Sequence, residues 1–312
     1  MQIRISKIRV MASAVMLSLL LSAFGIGAGA QTTDTRSLAA MSTNLDPDGR
    51  VYMQIKAVLN KNVWVYERIS VSVGNTSLSV QGIVINGVAY VSFRSAAAAI
   101  SGSSYIYDPS TRTSVMNAPG LQIIATDGCY VTYANGRTLF NTTPNVIMSD
   151  GRMYIPAAVF AKAVGMSVNS VGGDIRLVGS YSPLLHADKF YREDEVFWLA
   201  RIIHAESRGE ALIGQIAAGN VVMNRVRSAY YPNTIYGVIF DRKYGVQFSP
   251  VLDGTIYNTP GYTATLAAKI CLEGYDLSGG AFFFLNTALA TSSWIPLNRE
   301  YAFTIGNHDF YK

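Results

Sequence analysis

A strand running straight into a short alanine-rich helix occurs twice in this chain, and the repetition narrows the folds open to it. Gly87-Val-Ala-Tyr-Val-Ser-Phe-Arg-Ser-Ala-Ala-Ala-Ala-Ile100 is followed by Tyr105-Ile-Tyr-Asp108 and Ser114-Val-Met116. Gly151-Arg-Met-Tyr-Ile-Pro-Ala-Ala-Val-Phe-Ala-Lys-Ala-Val164 is followed by Met166-Ser-Val168 and Ile175-Arg-Leu-Val178. Each copy also has a hairpin signal, Asn86-Gly87 in the first and Asn135-Gly136 in the second, because a two-residue type I′ turn needs φ > 0 at both central residues. Ser70–Val73, Leu78–Val80 and Val84–Val91 alternate or run apolar and are predicted strands. Residues 69–180 therefore read as a strand-rich α+β module made by duplication.

The N-terminus sets the compartment. Arg4, Lys7 and Arg9 precede an apolar run from Val10 to Ile26, and Ala28-Gly-Ala30 supplies small residues for cleavage, so residues 1–30 read as a secretory signal. Once that signal is cleaved, no membrane attachment is expected. Those three basic residues take the formal charge from +5 to +2 when they are removed. A nearly balanced remainder, with no basic run interleaved with aromatics, argues against nucleic acid as a partner. The remaining ~280 residues suffice for two domains. Only 14% of the chain is charged while Tyr, Ser, Asn, Thr and Gly abound, a surface suited to carbohydrate polymer and equally to many extracellular binding modules. Cys129 and Cys271 fall in different candidate domains and read as isolated buried thiols. Residues 31–68 carry no functional signature. A non-periodic stretch from Gly179 to Tyr191, with Pro183, reads as a boundary, with the linker at 181–191 and a second domain at 192–312.

In that second domain a carboxylate stands where a helix should bury oil. A helix starting near Arg192 has Val196, Leu199 and Ile203 on its apolar stripe, and Glu206 is the next member of the same face. Gly209 supplies a stop signal, which puts Glu206 in the last turn. Desolvation and the negative end of the helix dipole both raise a carboxyl pKa there, as a general acid for glycosidic cleavage needs. The plain alternative is a helix-end ion pair with Arg201 or Arg208. A second helix follows over Gly214–Val226, with Ala217, Ala218 and Gly219 permitting close approach to the first. A third is expected over about Thr263–Glu273, capped by Thr263 and stopped by Gly274. Between them, Tyr244–Gly254 is a polar and aromatic loop of the kind that lines a groove.

Two resemblances rest on these residues. Residues 69–180 resemble the copper amine oxidase N-terminal-like domain in duplicated form, implying an accessory or wall-targeting module, or a plain spacer. Copper is not implied, since the segment has no His and one Cys. The run Ala205-Glu-Ser-Arg-Gly-Glu210, with Gly214-Gln215, Asn224-Arg225-Val226, Gln247-Phe-Ser-Pro-Val-Leu-Asp-Gly254, Phe284-Leu-Asn286 and Ile305-Gly-Asn-His308, resembles the spore cortex-lytic, SleB/CwlJ-type cell wall hydrolases. That resemblance implies a mainly α, lysozyme-like catalytic domain with a small β element, so the whole chain is expected to be α+β. It implies cleavage of peptidoglycan glycan strands between N-acetylmuramic acid and N-acetylglucosamine, by lytic transglycosylation or hydrolysis, with Glu206 catalytic. Ala205 and Ser207 depart from the commoner Gly and Ala of the motif without touching that chemistry.

Gln247, Phe248 and Ser249 are candidates to bind N-acetyl groups and sugar faces, and Asn286 and His308 to complete the groove. The alternative for each is a buried loop residue satisfying backbone groups. Asp253 and Glu210 are candidate second carboxylates, although Glu210 also reads as an N-terminal charge on the second helix. No metal or other cofactor is expected. His204 and Glu206, two residues apart, face nearly opposite sides of a helix and cannot share one zinc, which leaves His186, His308 and Asp309 as the remaining zinc set. Cys271 lies late in its helix, not at an activating N-terminus, which argues against a Cys-His endopeptidase. The non-enzymatic reading is a wall- or spore-coat-binding protein, with the N-terminal module engaging a wall or spore-envelope protein. Either way the expected location is outside the cell, in the wall or spore envelope.

Overall fold

The computed structural model describes residues 67–141, 143–147, 151–243, 245–290 and 293–312, together with the backbone strands Thr43–Leu45 and Val51–Met53, which pair with each other. The expected secretory signal and most of residues 31–68 lie outside the described residues. The described chain forms two compact units, one ending at Phe190 and one spanning Tyr191–Lys312.

The first unit is built as the repeat dictates. Strand Val88–Ser92 runs into helix α1 (Phe93–Ala98), and strand Met153–Pro156 runs into helix α2 (Ala157–Val164). The two strands pair antiparallel at the centre of a five-stranded sheet, with Ile155 opposite Val91. Each helix is followed by a hairpin, Ser104–Asp108 with Thr113–Ala118 and Ser167–Val171 with Asp174–Val178. The first of these extends into a five-stranded meander ending at Phe140; the second joins Val71–Val73 in parallel. Both Asn-Gly turns have the expected backbone, with φ of 50° and 77° at Asn86 and Gly87 and 49° and 73° at Asn135 and Gly136. Val91, Phe93, Ile123, Ile155, Phe160 and Leu177 are among the side chains sealing one core between these elements. One local expectation fails: the strand expected at Leu78–Val80 stops at Ser77, where the chain bends. The stretch read as the linker, 181–191, contains the point where the units divide, and its residues up to Phe190 are fastened to the first unit: the Ser182 and Leu184 N–H groups donate to Val164 and Ala163, Asn135 donates to the Leu184 carbonyl, and the Arg137 guanidinium lies 3.3 Å from the centre of the Phe190 ring.

The second unit packs three helices pairwise, α3 (Glu193–Ser207), α4 (Leu212–Arg227) and α5 (Tyr262–Leu272). Glu193, Asp194 and Glu195 crowd the first turn of α3, where the helix dipole favours negative charge. Leu199, Ala200, Ile202 and Ile203 are buried beneath it, each large aliphatic side chain contributing about 2 kcal/mol of burial. Gly219 on α4 is the point of closest approach. A Cβ there would stand 2.6 Å from Ile203 Cδ1 and 2.8 Å from Cys271 Sγ, so α3 and α5 both press on bare backbone. Cys129 and Cys271 are both free and buried. A three-stranded antiparallel sheet, with His308–Tyr311 between Phe283–Leu285 and Tyr301–Ile305, packs on α4 through Ala217, Val221, Ile305 and Phe310. The capping of α5 differs from expectation. Gly261, not Thr263, is its N-cap, with Thr263 inside the first turn; Gly274 follows the helix in left-handed conformation, φ 91°.

Candidate active site

Helix α3 ends at Ser207, whose hydroxyl donates to the Ile203 carbonyl at 2.7 Å. Gly209 is not the left-handed stop that its position suggested; the cap, Arg208, is right-handed. Glu206 nevertheless occupies the last turn, half-buried, and opens into a cleft of about 500 Å³. Neither expected ion-pair partner reaches it. Arg201 donates to the Ile256 and Asn258 carbonyls and lies over Phe197, while Arg208 is exposed. Among the described residues no hydrogen bond or ion pair engages its carboxyl group. Burial pushes that group up to about 7, the charge of Asp253 adds to the shift, and Arg225 opposes it.

The cleft brings together Glu206 and the five candidate sugar-binding residues Gln247, Phe248, Ser249, Asn286 and His308. They do not offer equal chemistry. Gln247 Nε2 donates to the Gly245 carbonyl, and its Oε1 accepts from Arg225 at 3.4 Å. Phe248 is buried with the Arg225 guanidinium 5.1 Å from its ring centre, so it shapes the wall and presents no open face to a sugar. Ser249 is exposed at the start of a short helix, Pro250–Asp253. Asn286 Oδ1 accepts from the Ala288 N–H, closing a turn. His308 is buried against the edge of Phe284, and its Nδ1 has no partner among the described residues. Burial holds the His308 imidazole below its ordinary pKa, against the pull of Glu210 and Asp309.

Of the candidate second carboxylates, Asp253 is exposed and accepts from the Thr255 N–H and hydroxyl, which hold its carboxyl below the usual range. Glu210 lines the cleft but is bonded to Asn307. The residue that sequence reasoning did not single out is Arg225. It is buried in α4, donates from Nε to the Phe282 carbonyl at 2.8 Å, and is ringed by Tyr231, Phe248 and Phe283. The available signal was a cation set among the apolar, small and amide side chains of α4, two residues before its other arginine, Arg227, at the helix end. His204 accepts from the Gly261 N–H at 3.2 Å, a structural contact. Among the described residues no group of three His, Cys, Asp or Glu side chains is gathered as for a metal ion.

A bundle of helices with a small sheet, and a partly buried, unpaired carboxyl facing a polar cleft, describes a domain equipped for acid–base work on a polar polymer. Residues 209–311 match the family model described as Cell Wall Hydrolase, and residues 71–177 match that of the Copper amine oxidase N-terminal domain. Through its C-terminal domain the chain belongs to the cell wall hydrolase family. The matched segment starts three residues after Glu206, so the case for that side chain rests on its surroundings. Residues 71–177 hold no histidine and one buried cysteine, which is no donor set for copper.

Similar proteins include the spore cortex-lytic enzyme of Bacillus cereus, 41% identical over 122 residues, and that of Bacillus subtilis, 37% identical over 120 residues. The matched segments cover 39% and 38% of this chain and 46% and 38% of those relatives, so less than half of either relative is spanned. A solved structure of the catalytic domain of the germination-specific lytic transglycosylase SleB from Bacillus anthracis is 41% identical, covering 39% of this chain and 97% of that one, with a TM-score of 0.36.

Proposed function

We propose that this protein is an exported enzyme that cleaves peptidoglycan glycan strands between N-acetylmuramic acid and N-acetylglucosamine, acting as a lytic transglycosylase through Glu206. The observation that carries the reading is a carboxyl group raised to about 7, free of ion pairs among the described residues, in the wall of a cleft. The names of its relatives support the same substrate.

The chemistry needs one such group. Protonated Glu206 gives its proton to the bridging oxygen as the bond from the muramic acid C1 breaks. The resulting carboxylate, steadied by the charge of Arg225, takes a proton from the sugar's own 6-hydroxyl. That oxygen closes on C1 to form a 1,6-anhydro ring, and Glu206 ends protonated as it began. Gln247, Ser249, Asn286 and His308 supply hydrogen bonds to the sugars and their N-acetyl groups, and Phe248 supports the wall. No cofactor enters this scheme. The protein acts in the cell wall or spore envelope, and the N-terminal module engages the wall or an envelope protein.

Mass spectrometry of muropeptides released from purified peptidoglycan and spore cortex, by the native protein and by Glu206→Gln, tests the reading. Anhydro-muramyl ends that vanish in the variant are expected. Reducing ends that vanish instead would make the enzyme a hydrolysing muramidase. No release from either substrate would leave a wall- or coat-binding protein.

A further inference from the structure

Glu210 lies four residues beyond Glu206 in the same cleft, yet both of its carboxylate oxygens are engaged. Oε1 accepts from Asn307 Nδ2 at 2.7 Å, and Oε2 accepts from the Asn307 backbone N–H at 3.2 Å. Both donors belong to the two-residue turn between strands Tyr301–Ile305 and His308–Tyr311. Gly306 opens that turn in left-handed conformation, φ 60°, and a Cβ added to it would stand 1.8 Å from Glu210 Oε2. Glycine is required there both by its dihedral angles and by the approach of the carboxylate. The base of the clamp is itself fixed, since the Glu210 N–H donates to the Ser207 carbonyl and its own carbonyl accepts from Gln215, each at 2.9 Å.

The first residue after the turn is His308. Its side chain is buried, lines the cleft and keeps an unpartnered Nδ1 among the described residues. The charged groups acting on it are Glu210 and Asp309, and Asp309 is occupied by the Thr287 and Thr304 hydroxyls. Phe284 covers one side of the ring edge-on.

We infer that Glu210 is a positioning residue, whose carboxylate clamps the Gly306–Asn307 turn and thereby fixes His308 in the cleft wall as a hydrogen-bonding group for the glycan. The clamp joins a loop after α3 to a hairpin 97 positions later in the chain. Charge-assisted hydrogen bonds of this kind are about twice as strong as neutral ones, which suits a latch between distant segments. Only the identity of the ligand rests on the function proposed above. Among the described residues lining the cleft, the clamp leaves Glu206 as the carboxyl free for proton transfer.

The test uses the intact protein, soluble glycan-strand fragments as substrate, and NMR of selectively labelled histidine, of which the chain has three. In Glu210→Gln one acceptor oxygen becomes a donor facing a donor, so one of the two bonds is lost. Asn307→Ala breaks the side-chain bond from the opposite partner while leaving Glu210 intact. Both variants are expected to raise KM about tenfold with a smaller change in kcat. Both should move the His308 resonances and leave those of His186 in place, with the alkaline limb of the pH profile unchanged. Loss of kcat in Glu210→Gln with full activity in Asn307→Ala would overturn the inference in favour of a second catalytic carboxylate. Unmoved His308 resonances and KM in both variants would overturn it as an idle contact. If Glu210→Gln fails to fold, Asn307→Ala decides by the same two readouts. A native protein that cleaves no glycan would sink the proposed function, while the His308 resonances would still judge the clamp.

Discussion

At Glu206 the stability of the fold and the chemistry of the site make opposite demands. A carboxyl raised above its unfolded pKa favours folding while protonated in both states, and that contribution is lost as pH climbs from its ordinary range through about 7. Glu206→Gln removes the cost of burying the charge. We expect the variant to be more stable than the native protein by about 2 kcal/mol at pH 8 and no more stable near pH 4, as read from denaturant midpoints across pH. The same substitution should lower kcat at least 10²-fold, the usual contribution of a general acid. Arg225 pulls the other way on the same group. Arg225→Met should therefore move the alkaline limb of kcat/KM to higher pH, because the Glu206 proton is then held more tightly; a limb that moves down would contradict the assigned electrostatics. The position of Glu206 was legible in sequence because its place on an apolar helix face is a matter of spacing alone. The absence of a partner was not, since two long arginine side chains lie within five residues of it, and the tertiary carbonyls of Ile256 and Asn258, which hold Arg201 elsewhere, cannot be read from local sequence.

Among the elements, the contact of α3, α4 and α5 at Gly219 constrains the cleft, since it fixes the helix that carries Glu206 against the helix that carries Arg225. Helix propensity alone would favour alanine at this position by about 1 kcal/mol. The overlap with Ile203 and Cys271 outweighs it, because backbone and buried side chains must shift together. Gly219→Ala is expected to destabilise by about 1–2 kcal/mol net, and Cys271→Ala in the same chain to recover part of that loss, in a thermal-unfolding double-mutant cycle. Helices, hairpins and the repeated strand–helix units could be read locally, because periodicity and Asn-Gly turns are local signals. The caps were less legible: Gly209 and Thr263 both have the right residue type, yet the chain closes its helices at Arg208 and opens them at Gly261 through backbone geometry that composition does not encode. The fastening of residues 179–190 was likewise invisible, because it depends on acceptors at Ala163 and Val164.

On the scale of the whole molecule, each compact unit seals its own apolar core, one around Phe93, Ile155 and Phe160 and the other around α3, α4 and α5 with the small sheet. Units with separate cores are expected to fold separately. Residues 191–312 alone should give a cooperative unfolding transition and cleave soluble glycan fragments with kcat/KM within about threefold of the full chain. Loss of sedimentation with insoluble wall in that fragment would locate wall binding in the first unit; unchanged sedimentation would leave the first unit a spacer. The duplication that organises that unit was plain in the sequence, because both copies repeat the same local strand–helix signal.

The role of Glu206 is tested most directly by titrating the side-chain carboxyl carbons of 13C-labelled glutamate by NMR, in the native protein and in Glu206→Gln. One carboxyl is expected to titrate near pH 7 and to be missing from the variant, with the kcat/KM for glycan cleavage falling along the same curve. A native spectrum in which every glutamate titrates in the ordinary range around pH 4 to 5 would contradict it, because Glu206 would then hold no proton to give at neutral pH.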